Sequence, residues 1–231
     1  MYIYGKNVAL DYLNSNEDIK KAFLFKNFND QELLSKLRKR DINIVYKEKY
    51  ELDKIVDGMH QGIILEVNDY EYAEVDDFID SSFIVILDHL EDPHNFGAII
   101  RTCEAAGVGG IIIPKDRSVK VTPTVIKVST GTIKNMKIAE VTNLNQTIEY
   151  LKKAGYWVVG TDMEGTNYYD IDYKGKIVIV IGNEGTGMSR LVKENCDFIA
   201  SIPMKGKTNS LNASVATGIV VFEALKQRAS D

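Results

Sequence analysis

Three short stretches hold most of the side chains able to do chemistry: DPHNFGAIIR at 92–101, IGNEGTGMSR at 181–190 and IPMKGKTNSLNAS at 202–214. In the first, Asn95 occupies the position expected of a helix N-cap, and Gly97 and Ala98 keep the first turn slim enough for a ligand or another backbone to approach. Arg101 follows about two turns in, a cation beside Ile99 and Ile100 that either snorkels to solvent or faces a ligand. In the second, Gly185 and Gly187 have the spacing of a dinucleotide loop, but Arg190 stands where the third glycine belongs, which argues against a Rossmann cofactor site. The glycines instead turn the chain tightly around Glu184, whose carboxylate is either a ligand contact or a solvated turn group. The third stretch is the richest. Lys205, Lys207, Thr208, Asn209 and Ser210 precede Asn212, the expected N-cap of the last helix, and offer more polar groups than capping needs. Ile202, Met204 and Leu211 add apolar walls, a mixture suited to a flat aromatic ring held by backbone hydrogen bonds rather than to a free phosphate.

Each stretch follows an apolar run that reads as a strand: SFIVILD, KIVIVIGN and DFIASIPM. GGIIIP, MKIAEV and YWVVGTDM read the same way, and helical patterns alternate with them: NFGAIIRTCEAAG, TPTVIKVSTGTI, LNQTIEYLKKAG, SRLVKENC and NASVATGIVVFEALKQR. This alternation predicts an α/β domain over residues 81–231, a parallel sheet covered on both faces. In such sheets ligands gather beyond the carboxyl ends of the strands, where all three stretches lie. Residues 1–68 outline a smaller α/β domain, with helices over KNVALDYLN, DQELLSKLRKR and ELDKIVDG and strands over KKAFLF, DINIVYK and QGIILEV. Residues 69–80 are expected to be an acidic linker ending in a short helical turn.

A chain of 231 residues with 45% hydrophobic side chains fits one large and one small domain. The net charge of -5 does not exclude a nucleic-acid partner, because the acidity is local. Residues 1–68 carry 11 basic and 11 acidic side chains, residues 81–231 carry 17 and 16, and the six acids of the linker supply the excess. Local basic patches, KLRKR at 36–40 and Lys205 with Lys207, are therefore open to RNA. Cys103 and Cys196 form no zinc-type spacing and read as buried free thiols, and His60, His89 and His94 lack the accompanying ligands, so no metal is expected. There is no apolar run of membrane-spanning length and no secretion-signal pattern at the start, which predicts a cytoplasmic protein without a membrane partner.

Taken together and in order, the three stretches resemble motifs 1, 2 and 3 of the SpoU/TrmH family of RNA ribose 2'-O-methyltransferases, in the SPOUT superfamily. Residues 1–68, with YGKNVALDYL and GMHQGIILEV, are similar to the small L30e-like substrate-binding domain of the RlmB-like subgroup, which methylates a guanosine of bacterial 23S rRNA. The resemblance implies a deep trefoil knot in the C-terminal domain, S-adenosylmethionine as cofactor, RNA as substrate, and a homodimer whose active site draws on both subunits. It also implies catalytic roles for Asn95, Arg101, Glu184, Ser210 and Asn212. Cofactor binding is implied for Thr161, Gly182, Asn183, Ile202, Met204, Ser210, Leu211 and Asn212. An arginine side chain stays protonated, so Arg101 is read as a cation stabilising a developing alkoxide rather than as a base. Methylation of a tRNA or another rRNA ribose, or a non-catalytic RNA-binding role, are the alternatives.

Overall fold

Runs of β-branched residues, buried on both faces, make the central strands of a six-stranded parallel sheet. In the computed structural model, which describes residues 1–15, 17–129, 131–208 and 210–229, the contacts divide the chain into two compact units. The first is Met1–Glu71 together with Val121–Gly131, and the second is Tyr72–Lys120 together with Thr132–Asp231.

The second unit contains β5 (Phe83–Leu87), β6 (Gly110–Pro114), β7 (Ile138–Val141), β8 (Trp157–Asn167), β9 (Ile177–Ile181) and β10 (Phe198–Ser201), in the spatial order β10-β8-β9-β5-β6-β7. All five pairings are parallel. β5 and β9, at the centre, are buried at every position, and this is what uninterrupted Ile/Val runs require when both sheet faces are covered. The helices are α4 (Pro93–Ala105), α6 (Leu144–Lys153), α7 (Arg190–Glu194) and α8 (Ala213–Arg228), and α8 packs on α4. The acidic stretch delivers Ala73 to a bridge with Ala139, and then a 3-10 turn over Val75–Phe78 that buries Phe78 in this unit's core.

Between β10 and β8 the register breaks. Ile199 pairs with Gly160, but the next residue, Ala200, pairs with Thr166. Residues 161–165 are thereby thrown out of the ladder at the carboxyl end of the sheet. The bulge closes on Gly165, where a Cβ would lie 2.4 Å from the Ile199 carbonyl oxygen, so only glycine lets the two strands rejoin.

The first unit is a four-stranded sheet in the order β1-β4-β2-β3, built from β1 (Tyr2–Tyr4), β2 (Ile19–Phe25), β3 (Ile44–Lys47) and β4 (Ile63–Val67). Its helices are α1 (Lys6–Asn14), α2 (Gln31–Lys39) and the single turn α3 (Lys49–Leu52). α5 (Pro123–Ser129) belongs to this unit too, although the sequence assigned it to the 81–231 domain. It packs on β1, and Lys127 Nζ lies 4.9 Å from the centre of the Tyr4 ring. The sequence extended this helix to residue 133; instead Gly131 turns at φ 80°, and Thr130 lies outside the described residues.

Part of the KLRKR run is consumed by the fold. The Arg40 guanidinium donates to the Tyr12, Ser15 and Glu17 carbonyls at 2.9, 3.0 and 2.5 Å, closing the carboxyl end of α1, and Lys36 donates to Asn14 Oδ1 at 2.7 Å. Only Arg38 and Lys39 of these five residues are exposed. Arg40→Ala is expected to cost about 1–3 kcal/mol, because it orphans helix-end carbonyls. A melting temperature unchanged from wild type would remove Arg40 from this role.

Candidate functional site

The DP pair at 92–93 starts α4 earlier than the sequence reading placed it. Asp92 is the N-cap, with Oδ1 accepting from the His94 N–H at 2.9 Å, and Pro93 fills the first helical position. The N-cap expectation for Asn95 is thus corrected: Asn95 lies one turn inside the helix and points inward at 8% exposure. Its side chain is free for other work. Asn95 Nδ2 donates to Glu184 Oε1 at 2.9 Å, and Asn95 Oδ1 accepts from Asn212 Nδ2 at 2.8 Å. Asn212 is the N-cap of α8, as expected, its Oδ1 accepting from the Ser214 N–H at 2.9 Å and the Ser214 hydroxyl at 2.6 Å. One polar chain, Glu184–Asn95–Asn212–Ser214, therefore joins all three motifs across 117 residues of sequence separation.

Beside it lies a cleft of about 770 Å³, the size of a small-ligand site, walled by the 161–165 bulge, the 182–187 loop and the segment after β10. Thr161, Gly182, Asn183 and Glu184 line one side. Ile202, Met204, Ser210 and Leu211 line the other, with Gly206 and Thr208 of the polar run. Gly182 and Leu211 thus face one space. Asn209 lies outside the described residues. Lys205 and Lys207 are exposed and do not line the cleft.

The 182–187 loop is a tight two-strand bend. Asn183 and Gly187 exchange backbone hydrogen bonds at 2.9 and 3.0 Å, and Asn183 Oδ1 accepts from the Gly185 and Thr186 N–H groups. Gly187 has φ 70°. At Gly182 a Cβ would sit 2.4 Å from both the Gly187 carbonyl carbon and the Met188 nitrogen. Gly182→Ala must therefore push backbone apart, and the expected result is a loss of about 2–4 kcal/mol of stability together with the cleft's shape. A soluble variant with an unchanged melting temperature and ligand affinity would contradict this crowding.

Two expected site residues stand apart from the polar chain. Ser210 is exposed on the cleft wall and makes no hydrogen bond among the described residues. Arg101 is exposed on α4, has no hydrogen-bond or ion-pair partner among the described residues, and does not line the cleft. Burial pushes the Cys103 thiol up and that of Cys196 to about 12, so neither is a poised thiolate. The sequence reading passed over Asp88, whose signal was a carboxylate closing the apolar run FIVIL at a strand end. It is 1% exposed, accepts from the Ser189 N–H at 2.6 Å and pairs with His89 Nδ1 at 2.6 Å.

The chain is similar to known proteins over nearly its whole length. Residues 82–222 match the SpoU rRNA Methylase family, and residues 2–73 match the RNA 2'-O ribose methyltransferase substrate binding family. YacO of Bacillus subtilis, assigned to the TrmH family of tRNA/rRNA methyltransferases, is 44% identical over 98% of this chain and 96% of its own. The crystal structure of an AdoMet-bound rRNA methyltransferase from Sinorhizobium meliloti superposes with a TM-score of 0.79 at 28% identity, over 97% of this chain and 86% of that one. The SpoU methyltransferase AviRb of Streptomyces viridochromogenes, in complex with AdoMet, reaches 0.85 over 100% of this chain and 91% of its own. Its 23% identity makes that likeness one of fold. With a family match over the larger unit and a near full-length relative at 44% identity, the chain belongs to the SpoU rRNA methylase family.

Proposed function

We propose that this RNA methyltransferase transfers a methyl group from S-adenosylmethionine to a ribose 2'-oxygen of RNA, with a guanosine of bacterial 23S rRNA as its target. The observation that carries the reading is the Glu184–Asn95–Asn212 chain lying against a cleft that all the proposed cofactor-binding residues but Asn212 line. The cleft suits the cofactor. Ile202, Leu211 and Met204 offer apolar walls for a ring, and the glycine-rich 182–187 loop offers backbone groups for its polar edge. When bound, S-adenosylmethionine supplies the methyl group together with its own leaving group. The chain's part is alignment and charge: Asn95 and Asn212 hold the Glu184 loop against the last helix, and Ser210 offers a free hydroxyl to the ribose.

Arg101 is proposed to steady the developing 2'-alkoxide from across a dimer, for which two observations speak. Arg101 is unpartnered among the described residues, and α8 is apolar around most of its circumference, with Val215 and Phe222, two turns apart, 50% and 47% exposed. The trefoil knot belongs to the same proposal and is supported by β8 lying between β10 and β9 while α8 returns onto α4. Among the described residues no helix is long and apolar enough to cross a membrane; we propose a cytoplasmic enzyme.

The test is to incubate purified protein and labelled S-adenosylmethionine with total RNA from a strain lacking the gene, then map the label. A 2'-O-methylguanosine in 23S rRNA supports the proposal. Label in tRNA or another rRNA ribose moves the target, and no label in any RNA removes the catalytic reading.

A further inference from the structure

The strand end at Asp88 carries a second arrangement that none of the three motifs accounts for. Among the described residues Asp88 is the one carboxylate in the fully buried set, at 1% exposure, and a charge so placed is tolerated only when its oxygens are engaged. Both are. Oδ2 accepts from the Ser189 N–H at 2.6 Å and Oδ1 pairs with His89 Nδ1 at 2.6 Å, while the Asp88 N–H donates to the Ile181 carbonyl at 2.8 Å. The next residue, His89, adopts φ 58°, a left-handed conformation that a residue with a Cβ takes only at some cost. That conformation goes with a carbonyl that accepts from Asn183 Nδ2 at 2.7 Å. The 182–189 loop is therefore gripped near both ends by the two residues that follow strand β5: Asn183 by the His89 carbonyl, and Ser189 by the Asp88 carboxylate.

So held, the loop carries Gly182 and Asn183 into the cleft and presents Glu184 to Asn95. We propose that Asp88 is a positioning residue for the cofactor cleft, a clasp that holds the 182–189 loop in its binding shape through the Ser189 N–H, and that the imidazole of His89 is dispensable to it, because the ring is 35% exposed and its removal hands Oδ1 to water. This rests on the cofactor reading given above. Asp88 touches no substrate in this scheme; it acts through the loop.

Four variants of the full-length protein separate the parts. Asp88→Ala removes the acceptor. Ser189→Pro removes the donor at a backbone φ of -62° that proline accepts, and sets a ring carbon against the Asp88 carboxylate, so it opens the clasp from the loop side. Both are expected to weaken S-adenosylhomocysteine binding by about 10- to 100-fold, the usual range for a lost hydrogen bond to a buried charge. Asp88→Asn keeps an oxygen facing the Ser189 N–H, and His89→Gly keeps the carbonyl while relieving the backbone; both are expected to bind within about threefold of wild type.

Calorimetry reads the affinities, and hydrogen exchange over residues 182–189 reads the clasp without any ligand. Exchange there should quicken in Asp88→Ala and Ser189→Pro and stay unchanged in His89→Gly. A loss below about fivefold in Asp88→Ala or Ser189→Pro, or a loss above about tenfold in Asp88→Asn or His89→Gly, overturns the assignment. If Asp88→Ala does not fold, Ser189→Pro carries the same decision. If wild type takes up no S-adenosylhomocysteine, the cofactor reading falls, and the exchange data alone decide whether the clasp exists.

Discussion

Replacing Arg101 by lysine is expected to slow single-turnover methyl transfer by about 10²- to 10³-fold while leaving cofactor affinity within about twofold of wild type. Arg101 lies outside the cleft and has no partner among the described residues, so its loss removes nothing that holds the cofactor or the fold. A lysine keeps the positive charge. It gives up the planar fork, which can grip a phosphate and a ribose oxygen at once, and it presents a compact ammonium that is more strongly hydrated. The effect should therefore fall on the chemical step. Rapid-quench assays at saturating enzyme and cofactor measure it directly, and a wild-type rate would remove Arg101 from the reaction.

Asn95→Asp should be nearly as damaging, for the opposite reason: it preserves shape and reverses a hydrogen bond. Aspartate can still accept from Asn212 Nδ2, but it sets a second carboxylate where Asn95 Nδ2 now donates to Glu184 Oε1 at 2.9 Å. Two carboxylates that close cannot both ionise without strong repulsion, so one proton is held between them. The shared group's pKa is raised in the folded protein above its unfolded value. The folded state then binds more protons than the unfolded one, and stability is lost as pH rises through the raised value. The variant should melt several degrees below wild type at pH 8, approach it towards pH 5, and turn over about 10²-fold more slowly at pH 8. A difference in melting temperature that stays constant across this range would refute the shared-proton account.

Much of the larger sheet was legible because its strands announce themselves as unbroken apolar runs, and a parallel sheet buried on both faces has no other pattern to show. The three corners were legible for a related reason. Side chains such as Asn95, Glu184 and Asn212 stand at strand ends, where ligands gather, and the structure joins these three in one chain of hydrogen bonds. What stayed hidden turned on local competition or on partners distant in sequence. Asp92 and Asn95 compete for the same capping role, and Asp92 holds it with proline behind it. β1 spans three residues, too few to display any period. Arg40 and Lys36 looked free for RNA until α1 placed its open end against them. The 161–165 bulge that opens the cleft begins inside a stretch read as a strand, YWVVGTDM, and nothing local marks where the ladder lets go. ELDKIVDG promised a longer helix than the single turn Lys49–Leu52.

The membership of α5 in the first unit has a consequence for how the polypeptide is made. Ribosomes release chain from the N-terminus at about 5–20 residues per second, so residues 1–71 emerge several seconds before the helix at 123–129 that completes their packing. During that interval the Tyr4 face of β1 lacks its cover, and final consolidation waits on a contact of high sequence separation, a slow class of event. The nascent amino-terminal segment should therefore remain protease-sensitive on stalled ribosomes until the tract ending at residue 131 has left the exit tunnel.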